Sequence, residues 1–235
     1  MTRVPLAADS HERTTLGITL ATLQGAAAVE VVGASSAEAK LAYQRAFSLL
    51  DNAPLHPLRG LFLHGLGLVL WMRGELDEAN RLAERCDALF VAGADKTVLL
   101  CACLVHGMVE HGRGQPQLAR KWLEKSIDAA KSLDESTSRA LSAADPTVLA
   151  LGLLATDLLH LGFVKQGRAR LREAHDRARA LRQPGPQLAV LWLEAEFEVR
   201  IGNAERVAEI SEQLIALIEE SGPWPEGRAA HSWLR

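Results

Sequence analysis

The apolar residues of this chain recur at steps of three and four in long runs, and glycines interrupt those runs at nearly even distances. Residues 63–86, LHGLGLVLWMRGELDEANRLAERC, show the unit most plainly. An apolar run ends at Gly74, and Leu76, Ala79, Leu82, Ala83, Cys86 and Leu89 then follow at helical spacing. The stretch predicts two helices joined by a tight turn. Gly67 lies twelve residues before Ala79, and two small residues so placed predict a close approach of the helices within the hairpin.

The same marks recur along the chain. Glycines fall at Gly33, Gly74, Gly114, Gly162 and Gly202, at intervals of 41, 40, 48 and 40 residues. Each of the last four has a small or modest-sized residue seven before it and another five after it: Gly67 and Ala79, Gly107 and Ala119, Ala155 and Gly167, Ala195 and Val207. Helical hairpins on such a period cannot bury their apolar faces alone, so they predict a stacked array.

Taken in order, the pattern predicts a flexible lead over residues 1–10 and one helical-repeat domain over 11–235. Helices at 12–32 and 36–50, the second capped by Ser35 or Ser36, form the first hairpin. After a loop over 52–57, helices at 57–72 and 75–91 form the next. The first of these is apolar on all sides and has to be packed between neighbours. Helices at 96–111 and 117–133 follow, with Pro116 at a helix-starting position where its missing N–H is not needed. The longer interval places its extra residues in a polar, Ser-rich link over 134–144. Asp145 caps the next helix, with Pro146 in the first turn. Helices at 147–161 and 164–181, then 187–201 and 204–220, complete the later hairpins. Beyond the breaker Gly222-Pro223-Trp224-Pro225, a helix over 226–235 is expected to start with no glycine, cap or partner of its own. The array is therefore expected to continue past residue 235 in a longer parent protein.

Composition narrows the class. Hydrophobic residues make up 48% of the chain, and a single Tyr among them suits helix far better than sheet. The formal charge of −3 gives no support for nucleic-acid binding by the chain as a whole. Cys86, Cys101 and Cys103 are odd in number, and the last two are too close for a metal knuckle, so they read as reduced core thiols. The first fifteen residues lack the apolar run of a secretory signal, and no stretch approaches the roughly 18 apolar residues of a membrane helix. A cytoplasmic protein is expected, without membrane contact.

Counted from Gly74, Leu66, Gly67, Gly74 and Ala79 match the tetratricopeptide pattern, with Leu70 and Leu76 in place of its usual aromatics. Residues 145–181, DPTVLALGLLATDLLHLGFVKQGRARLREAHDRARAL, resemble the C-terminal helical-repeat region of large bacterial signal-transduction ATPases. Residues 35–50, SSAEAKLAYQRAFSLL, are similar to the opening hairpin of that region, and the likeness extends over most of residues 11–235. The resemblance implies an all-α, right-handed α-α superhelix of about five tetratricopeptide-like hairpins plus a truncated terminal helix. It implies a regulatory arm of a multidomain transcriptional regulator or ATPase, a region also found with nucleotide-cyclase domains. A G-x-x-x-x-G-K-[ST] phosphate loop occurs nowhere in the chain, so ATPase chemistry would lie outside it.

Candidate chemistry is sparse. HGRGQ, with Gly112 and Gly114, follows a helix and lacks the Lys and hydroxyl of a phosphate loop, so it reads as a turn. His106 and His111 are five apart and point about 140° apart on a helix, which prevents them from sharing a metal as an i, i+4 pair could. No nucleophile sits in an elbow context, and no catalytic, cofactor or metal site is expected. Lys165, Arg168, Arg172, Arg179 and Arg182 make a basic stripe diluted by Glu173 and Asp176; a solvated outer face is the expectation, an acidic partner or nucleic acid the alternative.

In the tetratricopeptide register, fixed positions of each first helix line a concave surface. Here those positions hold His64, Leu68, Trp71 and Met72, then Leu104, Met108 and His111, then Thr156 and His160, then Trp192, Glu196 and Arg200. Trp, Met, His and Arg are favoured where partners bind; alternatively Trp71 and Trp192 fill the core between repeats. The expected function is a non-catalytic binding module for a protein, a peptide or neighbouring domains of its parent. The competing expectation is a small-molecule effector sensor whose concave face closes into a pocket. Weak self-association is expected through the terminal helix that carries Trp233 and Leu234.

Overall fold

The computed structural model describes residues 10–50, 56, 59–91, 96–133 and 145–221. Among these there is no strand. The helices in chain order are α1 (Ser10–Val32), α2 (Ala37–Leu50), α3 (Arg59–Met72), α4 (Leu76–Val91), α5 (Lys96–Gly112), α6 (Pro116–Ala130), α7 (Pro146–His160), α8 (Val164–Leu181), α9 (Pro184–Ile201) and α10 (Ala204–Ser221). The expected lead, the 134–144 link and the terminal helix with Trp233 and Leu234 lie outside the described residues.

Local chemistry sets the helix ends. Gly74, Gly114, Gly162 and Gly202 all have positive φ, between 69° and 84°. In each case the N–H of the following residue donates to a carbonyl five residues back: Glu75 to Leu70, Gln115 to Glu110, Phe163 to Leu158 and Asn203 to Glu198. This closure satisfies carbonyls that the helix end would leave bare, and it turns the chain sharply into the next helix. One repeated backbone device thus explains the glycine period. At helix starts, Ser36 Oγ accepts from the Ala39 N–H at 3.1 Å, and Asp145 Oδ1 accepts from the Thr147 and Val148 N–H groups at 2.9 Å each. α9 begins at Pro184, three residues ahead of the expected boundary, because Pro184 and Pro186 both fall in a first turn where no donor is needed. α6 stops at Ala130, short of the expected Leu133.

The two helices of each hairpin pack together, and each hairpin leans on the next in the same way. First helices lie side by side, α3 on α5, α5 on α7 and α7 on α9. Each second helix also touches the following first helix: α2 on α3, α4 on α5, α6 on α7 and α8 on α9. First helices are therefore enclosed, and most side chains of α5 and nearly every side chain of α7 are buried. Second helices bury one face only, as with Gly167, Leu171, Ala174 and Ala178 on α8. The enclosed and one-sided apolar patterns in the sequence have this physical origin.

The small residues do two different jobs. A Cβ on Gly107 would lie 2.5 Å from Leu123 of α6, and one on Gly167 would lie 2.8 Å from the Ala155 carbonyl oxygen of α7. Both allow close approach within a hairpin. Gly67 does not face its hairpin partner: its Cβ would lie 2.3 Å from Val105 of α5. The same holds for Gly152, whose Cβ would meet Leu193 of α9 at 2.3 Å. Those glycines bring successive first helices together.

Candidate functional site

The close packing of first helices decides how much of the expected concave surface is open. His64 is 2% exposed, and Leu104, Met108 and Thr156 are fully buried. This corrects the expectation that His64 and Met108 line a groove: their register positions lie in the seam between neighbouring first helices. Leu68, Trp71 and Met72 of α3 are half-buried and rest on the core. His111 of α5 and Trp192 and Glu196 of α9 are also half-buried, while His160 of α7 and Arg200 of α9 are exposed.

Three of the first helices meet at one polar and aromatic cluster. The ring of Trp71 on α3 lies 6.2 Å from that of His111 on α5, centroid to centroid, and is tilted 54° to it. His111 Nδ1 lies 2.9 Å from Asp157 Oδ1 on α7. The Asp157 side chain is buried. The bond engages Nδ1 and leaves His111 Nε2 for other contacts. Asp157 Oδ2 has no hydrogen-bond partner. A buried acid so placed fixes the imidazole, and the imidazole in turn supports one side of the indole. His160 stands on the exposed end of α7. Arg200 bonds within α9, to the Glu196 carboxylate at 2.8 Å.

Further buried acids tie the helices together. Glu198 of α9 is fully buried, accepts from both terminal guanidinium nitrogens of Arg168 on α8, and accepts from Asn203 at 2.9 Å. Glu194 of α9 bonds His175 of α8 at 2.7 Å and Arg206 of α10 at 3.0 Å. Burial pushes the Glu194 carboxyl up, but the hydrogen bonds and charges of His175 and Arg206 outweigh it and hold it below the ordinary value of 4.5. Asp145 adds a bidentate bond from Arg177, both contacts at 2.8 Å. The basic stripe of α8 is thus partly consumed, since Arg168 serves Glu198 and Arg179 pairs with Asp176. Lys165, Arg172 and Arg182 are exposed.

Sequence reasoning passed over Asp157, Glu194 and Glu198. The signal was present: Asp157 is the one acid in the mostly apolar 146–160, and Glu194 and Glu198 are one turn apart in an enclosed helix. Charges at such positions are rare unless paired.

The histidines go to separate neighbours. His106 Nε2 lies 2.9 Å from Asp87 Oδ2, and its ring stacks on Trp122 at 4.4 Å. Among the described residues no three His, Cys, Asp or Glu side chains are grouped to hold a metal, and no helix is long and apolar enough to cross a membrane. The HGRGQ segment closes α5 through the Gln115 N–H. Burial pushes the Cys86 and Cys103 thiols up to about 11, which keeps them in the unreactive protonated form. Comparison of the chain with protein-family models, with curated proteins and with solved structures finds no match.

Proposed function

We propose that this chain is a tetratricopeptide-like superhelix of about five hairpins acting as a non-catalytic binding module. In this reading it is the regulatory arm of a larger bacterial signal-transduction ATPase or transcriptional regulator. The observation that carries the reading is the Trp71, His111 and Asp157 cluster. A half-exposed indole braced by an imidazole, itself anchored by a buried acid on a third helix, is a rigid aromatic anchor of the kind that dominates binding energy. Its cost in side-chain entropy is met on folding, before a partner arrives. Around it, Leu68 and Met72 supply apolar area, and His160, Trp192, Glu196 and Arg200 extend the same face along the array. The partner is a protein or peptide, or neighbouring domains of the parent.

Capture of partners from cell extract and of the parent protein's other domains tests this. Trp71→Ala and Arg200→Ala should each weaken capture, by about 1 kcal/mol or more if they are anchors. Arg200→Ala should keep the wild-type melting temperature. Lost stability in both variants, with capture per folded molecule unchanged, would remove the groove reading.

A further inference from the structure

The outer side of α1 carries a row of large apolar residues that nothing described covers. Leu16, Leu20, Leu23 and Val31 are 51%, 52%, 62% and 77% exposed, and Ala27 is exposed with them. Their spacing of four, three, four and four residues puts them on one side of the helix. The opposite side of α1 is already used, with Ile18, Ala21 and Gly25 buried against the array.

Register shows what this row is. Counted from the glycine that ends each helix, Leu23 and Ala27 of α1 correspond to His64 and Leu68 of α3, and to Leu104 and Met108 of α5. In α5 those positions are buried in the seam between first helices. α1 therefore presents seam residues with no helix against them. From residue 14 to residue 29 the helix has no charge at all. Isolated exposed leucines are ordinary, but a contiguous row on one helix face marks an interaction surface.

We propose that this face is occupied by α1 of a second copy, packed antiparallel about a two-fold axis. Leu16, Leu20, Leu23 and Ala27 follow the alternating four-and-three spacing of a two-helix seam. An antiparallel pairing centred between Leu20 and Leu23 stacks four layers: Leu16 on Ala27 of the second copy, Leu20 on its Leu23, and the two symmetry mates. Large residues thus meet small ones at the outer layers and leucines meet at the centre. The four seam side chains offer about 400 Å² per copy, hence about 800 Å² in total, which suits a weak, concentration-dependent interface. A concentration-dependent dimer follows, with isologous contacts as two-fold symmetry requires.

Sedimentation velocity of the full chain from about 1 to about 100 μM, a range that brackets a micromolar Kd, tests this. The wild type should shift from monomer to dimer, and Leu20→Glu with Leu23→Glu should stay monomeric with an unchanged helical circular-dichroism spectrum. A second readout holds even where that variant folds poorly. Leu20→Cys and Leu23→Cys chains, mixed and treated with a short bis-maleimide, should cross-link to each other more than either does to itself; the native thiols are buried. A chain that is monomeric throughout, as when a different protein segment is the true occupant, overturns the proposal. So does a dimer that survives the glutamate pair, or equal cross-linking in all combinations.

Discussion

Replacing Gly167 with alanine should destabilise this protein, although the same change elsewhere in a helix usually does the opposite. In an unobstructed helix interior, alanine in place of glycine is worth about 0.5–1 kcal/mol of added stability. At Gly167 the added Cβ would lie 2.8 Å from the Ala155 carbonyl oxygen and 2.8 Å from Cε2 of Phe197. Favourable carbon contacts lie at about 3.5–4.0 Å, so α8 has to move away from both α7 and α9. One obstacle is backbone and the other is the fully buried ring of Phe197, so neither gives cheaply. Overpacking of this kind costs about 1–3 kcal/mol, leaving a net loss of up to about 2.5 kcal/mol. At about 2–4 °C per kcal/mol for a chain of this size, the melting temperature should fall by up to about 10 °C. Gly17→Ala is the matched control, since the Cβ there would meet only Leu49 Cδ1, at an ordinary 3.4 Å. It should raise the melting temperature. Thermal melts of both variants by circular dichroism decide the matter: a Gly167→Ala protein that melts at or above wild type refutes the assigned contact between α7, α8 and α9.

Two predictions rest on ionisation. Glu194 is held below 4.5 as described, and Glu75 is held low by hydrogen bonds from Lys40 and Arg73 and by their charges. Both folded values lie below the unfolded one, so their stabilisation is complete above about pH 4.5 and disappears as pH falls through the lower folded values. Melting temperatures should drop below pH 4.5, and Glu194→Gln should flatten that fall; an unaltered fall would show that the Glu194 cluster does not contribute. Cys86 and Cys103, with thiols pushed up to about 11, should react with a thiol reagent at pH 8 only when the chain unfolds; rapid labelling of the native protein would show that these sites open.

How much of this could be read from the sequence differs by level. Helix identity and order were legible because the glycine period reflects one backbone closure, repeated at Gly74, Gly114, Gly162 and Gly202. That Asp145 would cap a helix was equally local, since it needs only the N–H groups two and three residues on. Which neighbour a small residue faces was not legible. Gly67 and Gly107 occupy the same register, yet one meets the next first helix and the other its own hairpin partner, because crossing geometry depends on side chains elsewhere. The expected binding face suffered for the same reason. His64, Leu104 and Met108 were placed on a surface, but first helices lie close enough to bury them. Trp71 and His111 remained partly open, while Asp157, which anchors them, is 46 residues away from His111 in sequence. A contact at that separation leaves no mark in local periodicity.

Site-specific photo-cross-linking tests the central claim, that partners bind along the face carrying Trp71 and His111. A benzophenone side chain introduced at His160, exposed on α7, should trap a partner in cells. The same group at Lys121, exposed on α6, should trap none. Cross-links of the same partner from Lys121 alone, or equally from both positions, would contradict the assignment of this face as the binding surface.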